Sequence, residues 1–215
     1  MSVSVADVKA LRERTGAGMM DCKKALAECN GDVNQAVEYL QKKSLADAGK
    51  RAGKVAAEGL VDSYIHDGRI GVLLEVNSET DFVGRSDDFR EMVRNLCMHI
   101  AASNPAYITS DEISEEDTAK QTEIFSAQLL EQGKPAAMIE KIMVGKLKKW
   151  HSEVCLMNQA YVKDDKITIQ QYINSVGARV KEKISVRRYV RFELGEGIEK
   201  KVDDFAAEVA ATAGL

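Results

Sequence analysis

Proline is nearly absent from the 215 residues: only Pro105 and Pro135 occur. Aromatic residues make up only 6%. With so little to interrupt a helix, the chain is expected to be helix-rich. Cysteine occurs four times, at Cys22, Cys29, Cys97 and Cys155, and never as C-x-x-C. That scattered spacing argues against a disulfide framework and suits reduced thiols in a cytosolic protein. Long apolar runs are missing too. Stretches such as Ile70 to Leu74 fall far short of the ~18–20 residues a membrane span needs. The first residues carry no basic segment followed by an apolar one, so no secretory leader is expected, and they lack the Arg- and Ser-rich character of a transit peptide. Neither sign of charge dominates: 30 Lys and Arg stand against 34 Asp and Glu, a formal charge of -4. A protein that wraps nucleic acid would be strongly basic, which sets that class aside.

Signatures of catalysis are also lacking. There is no G-x-x-x-x-G-K-[ST] and no G-x-G-x-x-G. The pairs Gly16-Ala-Gly18 and Gly195-Glu-Gly197 serve as turns and caps. His151 and Cys155 share a helix face, but a structural zinc site needs four ligands. Cys22 and Cys29 share a face as well, where free cysteine acts as a small hydrophobe. No G-x-S-x-G is present, and His66, His99 and His151 have no nucleophile motif nearby. Glu75, Glu79 and Asp81 are close enough for an acid pair, yet carboxylates are common at strand ends. The expectation is a protein with no cofactor, no metal and no covalent chemistry, which acts by binding.

What is present is patterned. The length predicts one to two domains and a core that needs neither disulfide nor metal. Ser4, with Asp7 three residues on, caps a helix holding Val5, Val8 and Leu11. Gly16 to Gly18 stops it. A second helix runs to Cys29, Asn30-Gly31 turns, and Asp32 caps a third with Val33, Ala36, Val37 and Leu40 at i, i+3, i+4, i+7. Residues 1–41 thus form a three-helix bundle, and the basic stretch 42–56 is a linker, in part helical. The period then changes to a β-hairpin, Leu60 to Ile65 and Ile70 to Val76, around His66-Asp67-Gly68. A helix follows from Asp87 to Ala102, ended by Asn104-Pro105. The hairpin and this helix lie within residues 57–113. Two helical segments within 114–154, separated by Gly133-Lys134-Pro135, form a hairpin or coiled coil. Residues 155–195 hold a short helix near Thr168 to Val176. They end on a strand from Ile184 to Leu194, whose alternation is broken once, by Arg188 on its apolar face. A C-terminal helical module occupies 196–215.

Three stretches are distinctive. They are Leu11-Arg-Glu-Arg-Thr-Gly-Ala-Gly-Met-Met-Asp-Cys-Lys-Lys-Ala-Leu26, then Glu75-Val-Asn-Ser-Glu-Thr-Asp-Phe-Val83, then Arg191-Phe-Glu-Leu-Gly-Glu-Gly-Ile-Glu-Lys200 running into Asp204-Phe-Ala-Ala-Glu-Val209. Together, and in this order, they closely resemble the translation elongation factor Ts family, the guanine-nucleotide exchange factors for elongation factor Tu. The resemblance implies that the first bundle is ubiquitin-associated-like, that 57–113 and 155–195 are the two parts of an α+β core with an antiparallel sheet, and that 114–154 is the family's coiled-coil hairpin inserted between them. The C-terminal helix would pack on the partner's GTPase domain.

Met19 and Met20 cannot both face the core of one small helix, so at least one is expected outside as an adaptable contact. The resemblance implies that Arg12, Met19 and Met20 touch elongation factor Tu, in its GDP-bound and nucleotide-free states. It implies the same for Thr80, Asp81, Phe82 and Val83, with Phe82 entering the GTPase near its magnesium site. His66 is either an ordinary turn histidine or a further contact: in longer members a similar stretch belongs to the second of two core copies. Ser78 departs from the family, where many members have cysteine. Only one core copy is present here, which implies a short form whose chains pair into a homodimer. The bacterial cytoplasm is the expected location. The alternative to exchange activity is an adaptor, with the bundle binding another ligand and the core serving as a dimerisation scaffold.

Overall fold

The computed structural model describes residues 3–198. The expected C-terminal helix, with Val202, Phe205, Ala206 and Val209, lies outside the described residues. Helix α1 (Val5–Thr15) begins where the Ser4 hydroxyl accepts the Asp7 N–H at 3.1 Å and donates to its carboxylate at 2.7 Å. It ends at Gly16, whose φ of +65° suits glycine and whose N–H reaches the Arg12 carbonyl at 2.7 Å. Helix α2 (Met19–Glu28) follows at once. Helix α3 (Val33–Arg51) starts on Asp32, whose carboxylate accepts the N–H groups of Asn34 and Gln35 at 2.8 and 3.0 Å. Leu11, Cys22, Ala25, Leu26 and Ala36 are fully buried where the three helices meet. The helix does not stop near residue 41. It runs on through most of the stretch expected as linker, because its later turns pack on the core: Ser44 donates to the Asn174 carbonyl at 3.2 Å.

Strands β1 (Glu58–His66) and β2 (Ile70–Ser78) pair antiparallel. Asp67 and Gly68 both take positive φ between them, as an Asp-Gly turn supplies. One helical turn, α4 (Asp81–Gly84), leads into α5 (Asp87–Ser103), which ends at Asn104 with φ +43°. Helices α6 (Glu115–Glu131) and α7 (Ala136–Val154) form the expected hairpin. The chain leaves and returns at one point: the N–H groups of Ala106 and Tyr107 both reach the Val154 carbonyl, at 2.9 and 3.1 Å. A small ladder, β3 (Ala160–Tyr161) with β4 (Asp164–Thr168), has too few residues to show a period in sequence. Helix α8 (Ile169–Val180) then starts on a Thr168 capping box, and β5 (Ser185–Glu193) closes the order β1-β2-β5. The fold is α+β with antiparallel sheets.

The sheet's inner face carries the core. Leu74 and Val76 are fully buried against Phe89, Met92, Val93, Leu96 and Ile100 of α5, with Ile169 and Val176 of α8 beside them. Each such large side chain stabilises the fold by about 2 kcal/mol. Cys97 belongs to this layer, and burial pushes its thiol up to about 12. Cys155 is also fully buried, whereas His151, expected in the core with it, is half-buried.

The last strand corrects the sequence pattern. Glu75 pairs with Arg188 and Val76 with Val186, so Arg187 is an extra residue, a β-bulge. Each residue beyond a bulge faces the opposite way from simple alternation. Val186 packs on the core as expected, but Tyr189 and Arg191 then point inward, and Val190, Phe192 and Leu194 point to solvent. The Tyr189 hydroxyl donates to the Pro105 carbonyl at 2.6 Å, and Arg191 reaches the Ala101 carbonyl at 3.4 Å. Arg188 does not interrupt a core face. It lies on the outer face, paired with Glu75 at 2.6 Å.

Candidate functional site

Thr80, Asp81, Phe82 and Val83 sit where β2 hands over to α4. They do not share one environment. Phe82 projects, with 80% of its surface exposed. Asp81 beside it pairs with Arg85 at 3.0 Å, one turn on. Val83 turns the other way and packs on the core. Gly84 is buried against β1: a Cβ there would lie 2.8 Å from the Gly59 carbonyl oxygen. The turn is thus pressed onto the sheet by Val83 and Gly84 while Phe82 stands clear. A side chain this exposed contributes little to the folded core.

Polar bonds hold the base of this turn. The buried Ser78 hydroxyl donates to the Thr80 carbonyl at 2.9 Å. One oxygen of the Glu182 carboxylate accepts the N–H groups of Glu79 and Thr80, both at 3.0 Å. Its other oxygen accepts the Thr80 hydroxyl at 2.6 Å. Glu79 answers in the opposite direction, accepting Lys54 Nζ at 2.7 Å and the Lys183 N–H at 2.6 Å. The Lys54 hydrogen bond, followed by the Lys183 N–H, holds the Glu79 carboxyl below the usual glutamate range. Glu182 was not legible as a functional residue. Its partners lie about a hundred positions away, and nothing near it in sequence marks it.

The second group is in the helical bundle. Met19 and Met20 are both exposed at the first turn of α2, Met20 the more so, and Arg12 is exposed on α1. Arg179 links the bundle to the core. Its side chain fills the space beside Gly16, where a Cβ would meet the guanidinium at 2.6 Å, and its Nε lies 3.5 Å from Asp88 at the start of α5. A cleft of about 620 Å³ lies between α3 and α8. Its walls mix Arg14, Lys43 and Lys166 with Asp21, Asp47 and Asp164, so no single charge is selected.

His66 is not brought to Phe82. It is exposed at the far end of β1, with Nδ1 3.0 Å from the Tyr64 hydroxyl. At about 3.3 Å per residue, the nine-residue strand puts it roughly 26 Å from the β2–α4 junction. Among the described residues, no three His, Cys, Asp or Glu side chains gather to hold a metal ion. No helix among them is long and apolar enough to cross a membrane.

Residues 20–196 match the family model described as elongation factor TS. The chain is 59% identical over 197 residues to elongation factor Ts of Moorella thermoacetica, covering 91% of this chain and 97% of that protein. It is 55% identical over 216 residues to elongation factor Ts of Geobacter sulfurreducens, with both covered at 100%. With elongation factor Ts of Desulforamulus reducens it shares 54% over 210 residues, 97% of each chain.

Proposed function

Because the chain belongs to the elongation factor Ts family, and is thereby a translation elongation factor, we propose that it is the guanine-nucleotide exchange factor for elongation factor Tu in the bacterial cytoplasm. One observation carries the mechanism: a bare Phe82 beside Asp81, on a turn fixed from below. The bundle docks first through Arg12, Met19 and Met20. Phe82 then enters between helices of the GTPase near its magnesium site. Packed elements shift in discrete steps, so one wedged ring displaces whole helices. There the Asp81 carboxylate would act on the hydration of the partner's magnesium, whose charge compensates the GDP phosphates, and weakening that compensation would favour GDP release. Exchange by this route needs no covalent step and no contact between the factor and the nucleotide.

The coupling is reciprocal: this chain weakens GDP as much as GDP weakens this chain. The test is release of a fluorescent GDP analogue from elongation factor Tu. Addition of the chain at micromolar concentration should accelerate it, and an unchanged rate would overturn the reading.

The working unit is a pair of chains. On the sheet's outer face Leu73 pairs with Val190, Ile65 and Phe192 flank Gly71, and Val61 lies beside the Glu75–Arg188 ion pair; these five apolar side chains are 48–70% exposed. Exposed apolar side chains grouped in this way suit a second copy. Pairing also offers one elongation factor Tu the wedge of one chain and His66 of the other, which a single chain holds far apart. Light scattering should give twice the chain mass, and Phe192→Glu should return the single-chain mass.

A further inference from the structure

A one-turn helix cannot hold its own shape. Its few hydrogen bonds do not repay the ordering of its residues. Yet Phe82 is useful as a wedge only if its backbone is already in place. The residue that supplies the missing order comes from across the molecule. Lys181 ends α8 with φ +60°, and this sharp reversal delivers the next side chain, Glu182, to the base of α4.

We propose that Glu182 is a positioning residue for exchange, one that presets the Phe82 wedge without touching the partner. Its carboxylate accepts the Glu79 and Thr80 N–H groups and the Thr80 hydroxyl. Bonds to an ionised acceptor are stronger than neutral ones. The knot is closed from the other side. Glu79 accepts the Lys183 N–H and Lys54 Nζ, while Lys183 Nζ donates to the Ala52 and Lys54 carbonyls at 2.7 and 2.9 Å. The base of the wedge, the end of α8 and the chain leaving α3 are therefore one bonded unit. Ordering the turn before contact spares that cost during insertion.

This role rests on the exchange reading above, and its test separates the two. In the free protein, the Glu79 and Thr80 amides should exchange hydrogen about tenfold faster in Glu182→Ala than in the unaltered chain. In the GDP-release assay the same variant should lower kcat about tenfold while KM changes less than twofold, because docking through Met19 and Met20 is untouched. Glu182→Gln keeps one acceptor oxygen and should lie between the two. It also decides the matter should the alanine variant fail to fold. Unchanged amide exchange would overturn the role, as would faster amides with an unchanged kcat. Were the unaltered chain itself to leave GDP release unaffected, the exchange reading would fall and this role with it, whatever the amides do.

Discussion

The bundle and the β2–α4 turn both offer bare apolar side chains, but they are held in opposite ways. Met19 and Met20 stand on a helix in a bundle whose caps are local, although Arg179 and α8 tie that bundle to the core. Gly16 is three residues before them, and the Ser4 and Asp32 caps each close within three residues. Phe82 stands on a turn whose fixing bonds come from Glu182, 102 and 103 positions from its partners. Methionine is flexible and tolerates misplacement, whereas a phenyl ring used as a wedge does not. The region with the adaptable side chains is locally built, and the region with the rigid one is tied to the whole core.

The comparison can be broken first at its sharpest point. Asp81→Ala with Phe82→Ala should lower the exchange rate on the order of thirtyfold while leaving the melting temperature unchanged, since neither side chain is in the core. Gly84→Ala tests the seating of the turn: its methyl group meets backbone at Gly59, so the fold should lose about 1–3 kcal/mol by denaturant titration. Exchange should fall with it. Met20→Ala should raise KM several-fold and leave kcat near its original value, consistent with docking rather than insertion. Acid should produce the smallest change. The Glu79 carboxyl titrates lower folded than unfolded, so its stabilisation is complete above the ordinary value of 4.5 and is lost as pH falls through its depressed value. Melting temperature measured against pH should therefore fall less steeply on the acid side in Glu79→Gln.

The same division explains what was legible. The caps at Ser4 and Asp32, the Asp67-Gly68 turn and the stop at Asn104 depend on neighbours in sequence, and each stands where its residues predict. Adjacency predicts that at least one methionine is exposed, and the structure exposes both. By contrast, α3 runs on to Arg51 because α8 lies beneath it, which no window of the sequence contains. The inward turn of Val83 depends on a sheet formed by distant strands. Glu182 looks like any surface acid until Lys181 turns the chain. The apolar alternation of the last strand was correctly seen but assigned to the wrong side after Val186, since an extra backbone residue leaves no mark in side-chain chemistry.

That extra residue gives the strand a kind of reading frame. Everything beyond Arg187 is counted in the opposite parity, so loss of one residue there would send Val190 and Phe192 inward and turn Tyr189 and Arg191 out. No apolar residue would be gained or lost. A single-codon deletion or insertion, rather than a series of surface substitutions, is thus the shortest evolutionary step by which a descendant of this protein could exchange the two faces of its sheet, and with them its tendency to associate with itself.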